Sequence, residues 1–338
     1  MTKSPASQPP GRDHYQPAGA QYGTAGPDHR SGFACLVGRP NVGKSTLTNA
    51  LVGHKVAIMS ARPQTTRHTI RGIVHRPDAQ LVLVDTPGLH RPRTLLGQRL
   101  NDLVKDTLSE VDVIVFCIPA DQKIGPGDKF IAQQLAPLMA GRRAIPVVAV
   151  VTKADSVDKG RLAEQLIAVD MAAQAMDRQW SAIVPVSAQD GYQVDELEKV
   201  LVSYLPLGPV LYPGGELTDE PEQIMVAELV REAALEGVRD ELPHSLAVVV
   251  EEINERPGSA DPQDGTGPLL DVHVSLFVER DSQKAIIIGK SGSRLREVGT
   301  KARHGIERLL GARVYLDLHV KVARDWQRDP RQLRKLGF

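Results

Sequence analysis

Short runs of apolar residues alternate with longer segments of helical periodicity between residues 33 and 206. The apolar runs carry few polar residues on either face, as expected of strands that are buried on both sides. They fall at residues 33–37, 79–85, 111–118, 146–152 and 181–187. The segments between them have apolar residues every three or four positions, which predicts amphipathic helices. Strands that alternate with helices predict a mostly parallel sheet covered by helices on both faces.

The pattern changes after residue 207. Residues 208–220 are rich in proline, glycine and acidic residues, which predicts a linker. From residue 221 onward a helical segment precedes two strand-like runs, then two helical segments separated by GKSG, and a last strand-like run at residues 312–323. This order predicts a second domain of the α+β class.

The first 31 residues differ from both domains. They contain no apolar segment and are rich in proline, glycine, serine and glutamine, so we expect a disordered tail and no signal peptide. No run approaches the roughly 18 apolar residues of a membrane-spanning helix. The two cysteines, Cys35 and Cys117, lie inside predicted strands. We therefore expect reduced core residues in a cytosolic protein.

Charge is balanced over the whole chain but separated within the second domain. The 41 lysine and arginine residues equal the 41 aspartate and glutamate residues in number. Residues 216–283 hold 17 acidic and 4 basic residues (17 − 4, net −13), whereas residues 284–338 hold 14 basic and 5 acidic residues (14 − 5, net +9). The basic end predicts a polyanion-binding surface, although a solvated helix face explains the charge equally well.

The segment GRPNVGKS, residues 38–45, fits the pattern G-x-x-x-x-G-K-[ST] between a predicted strand and a predicted helix. Glycines allow successive backbone N–H groups to surround phosphate oxygens, and the start of a helix adds the positive end of its dipole. Lys44 is expected to meet the β and γ phosphates, and Ser45 to ligate Mg²⁺. The motif therefore predicts a nucleoside triphosphate site.

Three further motifs end later strands of the predicted sheet. In VDTPG, Asp85 is expected beside the magnesium ion, and Gly88 can offer its N–H to the γ phosphate. In VTKAD, the two carboxylate oxygens of Asp155 can accept both N–H donors on the edge of guanine, a donor pair that adenine lacks. In VSAQD, the backbone N–H of Ala188 can meet the guanine carbonyl oxygen. Because open α/β sheets bind ligands at strand ends, this order predicts GTP as the ligand.

These motifs resemble those of the Era family of bacterial ribosome-assembly GTPases. GRPNVGKSTLTNALVG, PQTTRH, VDTPG, TKAD and VSA match the motifs of its GTP-binding domain in order, and residues 282–322 are similar to its RNA-binding KH segment. The similarity covers nearly all of the chain from residue 33 to the end. It implies an α/β P-loop NTPase G domain with a mostly parallel sheet, followed by an α+β type II KH domain.

The resemblance also implies a function. It implies a protein that hydrolyses GTP to GDP with Mg²⁺ as cofactor and binds the 3′ end of 16S ribosomal RNA during maturation of the 30S subunit. Peripheral contact with the cytoplasmic membrane occurs in some members, and we expect a cytoplasmic monomer. The expected divisions are a tail at 1–31, a G domain at 32–207, a linker at 208–220 and a KH domain at 221–338.

Most positions of the matching motifs are predicted to bind nucleotide. They are Gly38, Arg39, Pro40, Asn41, Val42, Gly43, Lys44, Ser45, Thr46, Asp85, Thr86, Pro87, Gly88, Leu89, Thr152, Lys153, Ala154, Asp155, Ser187 and Ala188. The predicted magnesium ligands are Ser45, Asp85 and Thr66, the last from the PQTTRH segment, where related G proteins place the ligand just before arginine.

Two positions depart from the usual motifs. The base-recognition motif of the family begins with asparagine, but this chain has Thr152, whose hydroxyl can replace only part of the amide, so affinity is expected to fall modestly. Many GTPases use a glutamine after the DTPG-type glycine, whereas Leu89 cannot orient water, so slow intrinsic turnover is expected. The resemblance also implies a K⁺ site at Asn41, although this residue also suits a simple turn.

In the second domain, GKSG fits the G-x-x-G loop of KH modules, which clamps about four nucleotides of backbone. Alone the pattern also fits a turn between helices. An apolar stripe follows it at near-helical spacing, and basic residues surround it. The residues predicted to bind RNA are Gly289, Lys290, Ser291, Gly292, Arg294, Arg296, Lys301 and Arg303. Aromatic residues are scarce there, so backbone and base-edge contacts are expected more than stacking.

Two other functions compete with an RNA-binding GTPase. A metabolic P-loop kinase would use adenine and a phosphate acceptor, and Asp155 argues against it. A GTPase scaffold on the membrane surface, acting in cell-cycle or growth signalling, would use the basic end to bind anionic lipid. Binding to RNA rather than to vesicles separates this scaffold from the first hypothesis.

Overall fold

The computed structural model describes residues 26–338 apart from 59–68, 90, 91, 93, 237, 239–241 and 260–266. The described residues form two compact units. The first unit contains most residues up to Asp219, and the second contains those from Glu220 onward with Ile58 and the described part of 91–100. The predicted tail lies outside the described residues up to position 25, and the first strand begins at Arg30, within the last two residues assigned to that tail.

The first unit contains a six-stranded sheet in the order β2-β3-β1-β4-β5-β6. Its strands are β1 (Arg30–Val37), β2 (Ile70–His75), β3 (Ala79–Asp85), β4 (Val113–Pro119), β5 (Val147–Thr152) and β6 (Ala182–Pro185). The five predicted strands are confirmed and pair in parallel. The apolar pattern did not predict β2, which pairs antiparallel with β3 at the edge of the sheet. Its sequence, IRGIVH, lacks a clean apolar run because Arg71 and Gly72 interrupt it.

Helices cover both faces of this sheet, as predicted. They are α1 (Lys44–Val52), α2 (Leu95–Glu110), α3 (Pro126–Leu135), α4 (Lys159–Gln174) and α5 (Val194–Ser203). Side chains of α1 and α5 form one apolar core with one face of the sheet. Side chains of α2, α3 and α4 form a second core with the opposite face. The strands are therefore buried on both sides, which explains their continuous apolar sequences.

The segment expected to be a linker packs against the first unit. Residues 208–219 contain no helix or strand, as their composition suggests. Nevertheless, the side-chain oxygen of Gln80 accepts hydrogen bonds from the backbone N–H groups of Leu211 and Tyr212, at 2.7 and 2.9 Å. The N–H of Ile73 on β2 donates to the carbonyl of Leu217 at 2.9 Å. These contacts order the segment along the edge of the sheet. A segment without apolar periodicity can therefore still pack against the domain.

The second unit is a three-stranded sheet with helices, which confirms the predicted α+β class. Its strands are β7 (Ala247–Glu255), β8 (Leu269–Val278) and β9 (Arg313–Val322), and its helices are α6 (Glu222–Leu235), α7 (Leu242–Ser245), α8 (Asp281–Ile288), α9 (Ser293–Leu310) and α10 (Pro330–Lys335). Strands β7 and β8 are antiparallel, whereas β8 and β9 are parallel. The sequence analysis missed α10, a helix of two turns at most. Within the described part of the chain, no helix is long and apolar enough to span a bilayer.

Candidate functional site

The phosphate loop, residues 38–45, joins the carboxyl end of β1 to the first turn of α1. Gly43 has a φ of +98°, in the left-handed region that favours glycine. A Cβ atom at Gly38 would lie 2.7 Å from the carbonyl oxygen of Cys117, so this position also requires glycine. Helix α1 begins at Lys44, and the N–H groups of a first helical turn have no intrahelical acceptor. The loop therefore presents backbone donors of the kind that bind phosphate.

Lys44 is buried beneath this loop. Its ammonium group donates hydrogen bonds to the carbonyl oxygens of Gly38 and Arg39, at 3.3 and 3.1 Å. Burial lowers the pKa of Lys44, while the negative charge of Asp85 raises it. A cation that has lost its hydration is stabilised by a nearby anion, so the position favours a bound polyphosphate.

Ser45 and Asp85 bring two oxygen ligands together beside the loop. The Ser45 hydroxyl donates to Oδ2 of Asp85 at 2.6 Å, and Asp85 is fully buried at the end of β3. The next residue, Thr86, donates to the carbonyl of Leu36 at 2.7 Å and so fixes the chain after β3 against β1. Hydroxyl and carboxylate oxygens are suitable ligands for Mg²⁺. The third predicted ligand, Thr66, lies outside the described residues.

Residues 86–89 pass directly against the phosphate loop. A Cβ atom at Gly88 would lie 2.8 Å from the backbone nitrogen of Pro40, so only glycine permits this approach. The following residue, Leu89, is 4% exposed and packs in the core beside α2 and β3. An apolar side chain held in the core has no group with which to orient a water molecule at the site.

The predicted base-recognition loop follows β5. Lys153 has a φ of +57°, and its ammonium group lies 3.3 Å from the carboxylate of Asp121. The N–H of Ala154 donates to the carbonyl of Val186 at 3.0 Å, which joins this loop to the segment after β6. Asp155 is exposed at this point. Its carboxylate is thus accessible to a base, as the motif requires.

The segment after β6 supplies Ser187 and Ala188. Ser187 is buried, and its backbone N–H donates to the carbonyl of Tyr192 at 3.0 Å. Its hydroxyl accepts a hydrogen bond from the N–H of Asp190 at 3.4 Å. These bonds close a turn that leaves Ala188 half-buried beside the base-recognition loop.

All the described residues predicted for the nucleotide site lie at or just beyond the carboxyl ends of β1, β3, β5 and β6. This is the edge at which open α/β sheets bind ligands. Val42 and Thr46 lie in the loop and the first turn of α1, and Pro87 lies beside Gly88. Asn41, also in the loop, has a left-handed φ of +63° and is exposed. The fold thus gathers four separate stretches of sequence at one sheet edge.

Thr152 connects the base-recognition strand to the phosphate loop. Its hydroxyl donates to the carbonyl oxygen of Val42 at 2.5 Å, and the carbonyl of Ile118 lies 3.4 Å away. Both Thr152 and Val42 are buried. A hydroxyl has one proton to donate, so the bond to Val42 uses its donor capacity. Thr152 therefore attaches the end of β5 to the phosphate loop.

Replacement of the Thr152 hydroxyl is expected to weaken binding of GTP and GDP alike. Thr152→Val keeps the shape of the side chain but leaves the buried Val42 carbonyl without its donor, which costs about 1.4 kcal/mol, or about tenfold in affinity. Dissociation of a fluorescent GDP analogue measures the effect, with Thr152→Asn as the control that retains a donor. An unchanged dissociation rate in Thr152→Val would show that the hydroxyl does not hold the loop.

The sequence analysis missed Asn49, which lies on α1 and is largely buried. Its side-chain oxygen accepts hydrogen bonds from the N–H groups of Val56 and Ala57, at 2.9 and 2.8 Å. Its amide donates to the carbonyl of Ala57 at 2.7 Å. These three bonds fix the chain that leads into residues 59–68, where the magnesium ligand was predicted. A polar residue on the buried side of a helix was the available signal.

The GKSG loop lies between α8 and α9 in the second unit. Gly289, Ser291 and Gly292 have φ values of +72°, +51° and +75°. Lys290 and Ser291 are exposed. A Cβ atom at Gly289 would lie 2.7 Å from Cβ of Arg294, whereas no atom lies within 4 Å of one at Gly292. The loop therefore projects at Lys290 and Ser291 and leaves open space at Gly292, which permits close approach of a backbone ligand.

The basic residues around this loop are not equivalent. Arg294 donates to the carbonyls of Ala234 and Glu236 at 3.3 and 2.7 Å, so its guanidinium binds the end of α6. Lys301 lies 2.9 Å from carboxylate oxygens of both Glu236 and Glu297. These contacts favour structural roles for both residues, although the sequence pattern predicts them on the RNA surface. A helical periodicity cannot reveal which basic residues face another helix.

Two other basic residues predicted to bind RNA, Arg296 and Arg303, make no comparable contact with α6 in the described structure. Arg296 is exposed on α9. Arg303 is also exposed, and its Nε lies 3.9 Å from Oε1 of Glu307, one helical turn away. Such surface pairs contribute little to stability, so both side chains remain available to a phosphate.

Comparison with known proteins agrees with this arrangement. Residues 33–153 match a family described as 50S ribosome-binding GTPase, and residues 241–327 match the KH domain family. The GTPase Era of Streptomyces coelicolor is 66% identical over 310 residues, which cover 92% of this chain and 95% of that protein. The GTPase Era of Mycolicibacterium smegmatis is 66% identical over 311 residues, 92% of this chain and 99% of that protein.

Solved structures give the same result over both units. The crystal structure of Era in complex with MgGDPNP and nucleotides 1506–1542 of 16S ribosomal RNA has a TM-score of 0.83 at 39% identity, covering 91% of this chain and 99% of that one. A variant of Aquifex aeolicus Era bound to GDP·AlF4⁻ has a TM-score of 0.82 at 38% identity, with the same coverage. With 66% identity to two GTPases named Era over 92% of its length, the chain belongs to the Era family of GTPases.

Proposed function

We propose that this GTPase binds the 3′-terminal segment of 16S ribosomal RNA through its GKSG loop and acts in assembly of the 30S subunit. The observation that carries the proposal is the loop itself, which exposes Lys290 and Ser291 between two glycines with positive φ. A KH loop of this form clamps the backbone of single-stranded RNA. In this proposal residues 32–207 bind and hydrolyse GTP, and residues 221–338 bind RNA.

Similarity to an RNA-bound relative supports the proposal. The Era in complex with MgGDPNP and nucleotides 1506–1542 of 16S ribosomal RNA shares 39% identity with 91% of this chain. A match over 91% of this chain is too long to omit either of its two units. We infer that bound GTP favours the RNA-binding state and that hydrolysis favours release.

Binding to a defined RNA tests this function. The probe is RNA of nucleotides 1506–1542, and the control is RNA of equal length and composition with its 3′ half scrambled. With MgGDPNP bound, the protein is expected to bind the native RNA at least about tenfold more tightly than the control. Replacement of GDPNP by GDP is expected to weaken binding. Equal affinity for both RNAs would contradict the assignment.

The residues of the nucleotide site have separate roles in hydrolysis. Backbone N–H groups of the phosphate loop and Lys44 hold the phosphates and stabilise the charge that develops on them. Mg²⁺ fits beside Ser45 and Asp85, whose oxygens lie 2.6 Å apart, and when bound it neutralises phosphate charge. Because Leu89 offers no polar group, the chain lacks a glutamine-like aid to the attacking water at that position. This absence supports slow intrinsic turnover.

The proposal includes a K⁺ ion at Asn41, with a test of its own. Asn41 is exposed in the phosphate loop, so its side-chain oxygen can take part in a cation site beside the phosphates. GTP hydrolysis is expected to rise about tenfold when K⁺ replaces Na⁺ at constant ionic strength, because a cation there stabilises charge in the transition state. Asn41→Ala is expected to abolish this difference while GDP still binds. Equal rates of the parent protein in both salts would contradict the site.

Membrane contact and oligomeric state form the last part of the proposal. The protein is proposed to be a cytoplasmic monomer whose basic end, residues 284–338, meets anionic lipid only peripherally. Pelleting with vesicles of phosphatidylglycerol and phosphatidylethanolamine, beside the RNA assay, compares the two ligands directly. Stronger retention by vesicles than by RNA would favour the membrane-surface scaffold instead.

A further inference from the structure

A buried carboxylate outside the nucleotide motifs holds the side chain of Arg39 in the phosphate loop. Asp128 lies in the first turn of α3 and is 1% exposed. Its Oδ1 accepts a hydrogen bond from Nε of Arg39 at 2.7 Å, and its Oδ2 accepts one from the N–H of Gly125 at 2.9 Å. Both oxygens are therefore engaged, and the carboxylate has a fixed orientation.

The side chain of Arg39 is held along its whole length. A Cβ atom at Gly127 would lie 2.6 Å from Cδ of Arg39, so the aliphatic part of Arg39 lies directly on this glycine. One terminal nitrogen of the guanidinium donates to Oε1 of Gln122 at 3.1 Å. The loop is thus attached to α3 and to the segment before it by packing, an ion pair and a second hydrogen bond.

Arg39 stands at a sensitive position in the loop. Its own carbonyl oxygen accepts a hydrogen bond from Lys44 at 3.1 Å. The next residue, Pro40, is the one against which Gly88 packs, and Asn41 follows with a left-handed φ of +63°. Thr152 fixes the second half of the loop through Val42. The contact with Asp128 supplies the corresponding attachment for the first half.

The segment before α3 is itself well anchored. The side-chain amide of Gln165, buried on α4, donates to the carbonyls of Pro119 and Gln122 at 3.1 and 2.9 Å. Lys153 of the base-recognition loop lies 3.3 Å from Asp121 in the same segment. One rigid segment thus contacts the phosphate loop through Arg39 and the base-recognition loop through Lys153.

We propose that Asp128 is a positioning residue for nucleotide binding, which acts through Arg39 to hold the first half of the phosphate loop in its binding conformation. Preorganised donors bind phosphate without the cost of ordering the loop. The charge of Arg39 also neutralises a buried carboxylate close to the place where phosphates add further negative charge. Asp128 does not contact the nucleotide in this role.

The two partners are expected to respond unequally to substitution. Arg39→Met keeps the aliphatic stem on Gly127 but leaves the Asp128 carboxylate buried without its cation, so GDP dissociation is expected to accelerate about 30-fold. Asp128→Asn removes the negative charge and leaves the Arg39 side chain, which is 26% exposed and can reach water. For this variant GDP dissociation is therefore expected to accelerate only about fivefold. The double variant is expected to dissociate GDP more slowly than Arg39→Met alone.

A double-mutant cycle with nucleotide dissociation as the readout tests the proposal. KM for GTP is expected to rise in each variant with a smaller change in kcat, since the contact supports ground-state and transition-state binding alike. The matched control is the exposed pair of Arg161 and Glu164 on α4, as Arg161→Met and Glu164→Gln. Thermal unfolding without nucleotide measures the purely structural effect. Additive single effects, or lower thermal stability with unchanged GDP dissociation, would overturn the proposal.

Discussion

Asp155→Asn is expected to lower affinity for GTP about 100-fold and to raise affinity for xanthosine triphosphate. In the structure, Asp155 is exposed in the loop that follows β5, and the bond from Ala154 N–H to the carbonyl of Val186 fixes the backbone beside it. A carboxylate there can accept both N–H donors of guanine through charge-assisted bonds. Asparagine at this position would direct its amide N–H toward one of the N–H donors of guanine, where no hydrogen bond can form. Xanthine has a carbonyl oxygen at that place, which can accept a hydrogen bond from the asparagine amide.

Competition between the two nucleotides for the fluorescent GDP site measures this change. The matched control is Asp170→Asn, since Asp170 is an exposed residue of α4 whose carboxylate accepts a hydrogen bond from Gln174. This variant should leave the affinities for GTP and for xanthosine triphosphate unchanged. If Asp155→Asn retained the parent preference for GTP, the assignment of TKAD as the base-recognition loop would be wrong. Retained binding of xanthosine triphosphate also shows that the variant is folded, so loss of GTP binding alone remains interpretable.

The sequence could predict that the motif residues come together because parallel strands all end at the same edge. Lys44, Asp85 and Asp155 are far apart in sequence, but each follows a recognisable apolar run. Alternation of strands and helices places those ends together without knowledge of any side-chain contact. Local pattern and fold class were therefore enough to bring these three residues to one edge of the sheet, where the nucleotide is proposed to bind.

The contacts that hold the site in shape could not be predicted in the same way. Asp128 lies 89 positions from Arg39, and Thr152 lies 110 positions from Val42. Each bond depends on the exact register and rotation of an element, which apolar periodicity does not determine. Asp128 also lies in the first turn of a helix, where acidic residues are common, so the sequence does not distinguish it from an ordinary helix-start residue. Support for a phosphate loop therefore lies largely outside its own motif.

The KH unit shows a similar division. The GKSG loop was recognisable because a short glycine motif interrupts two amphipathic segments. The direction of each basic side chain was not, because α9 packs against α6 along a face that also carries charge. Arg294 and Lys301 are bound to Glu236 at the end of α6, whereas Lys290 and Arg296 are exposed. The clustered basic residues in the sequence indicated the region around GKSG, but only the packing of α9 against α6 shows which of their side chains are exposed.

Gly292→Asp is expected to reduce affinity for RNA of nucleotides 1506–1542 about 30-fold or more while basal GTP hydrolysis stays nearly unchanged. Gly292 has a left-handed φ of +75° with open space where a Cβ would stand. Aspartate and asparagine tolerate this conformation better than most residues, so the variant should fold. Its carboxylate would stand where the RNA backbone approaches and would repel phosphate. The loss should exceed that caused by removal of one lysine contact, as measured with Lys290→Gln.

Gly292→Asn separates charge from shape, because asparagine has nearly the same size and no charge. It should lose much less RNA affinity than Gly292→Asp, and the difference should shrink at high salt as screening increases. Gly289→Asp would be a poorer test, since its Cβ would collide with Arg294 and disturb the loop itself.

Any stimulation of GTP hydrolysis by RNA should vanish in Gly292→Asp together with RNA binding. Undiminished RNA binding by Gly292→Asp would show that the loop is structural and that other basic residues carry the contact. Loss of basal hydrolysis in the same variant would instead show that the KH unit and the nucleotide site are more tightly coupled than the separate loops suggest.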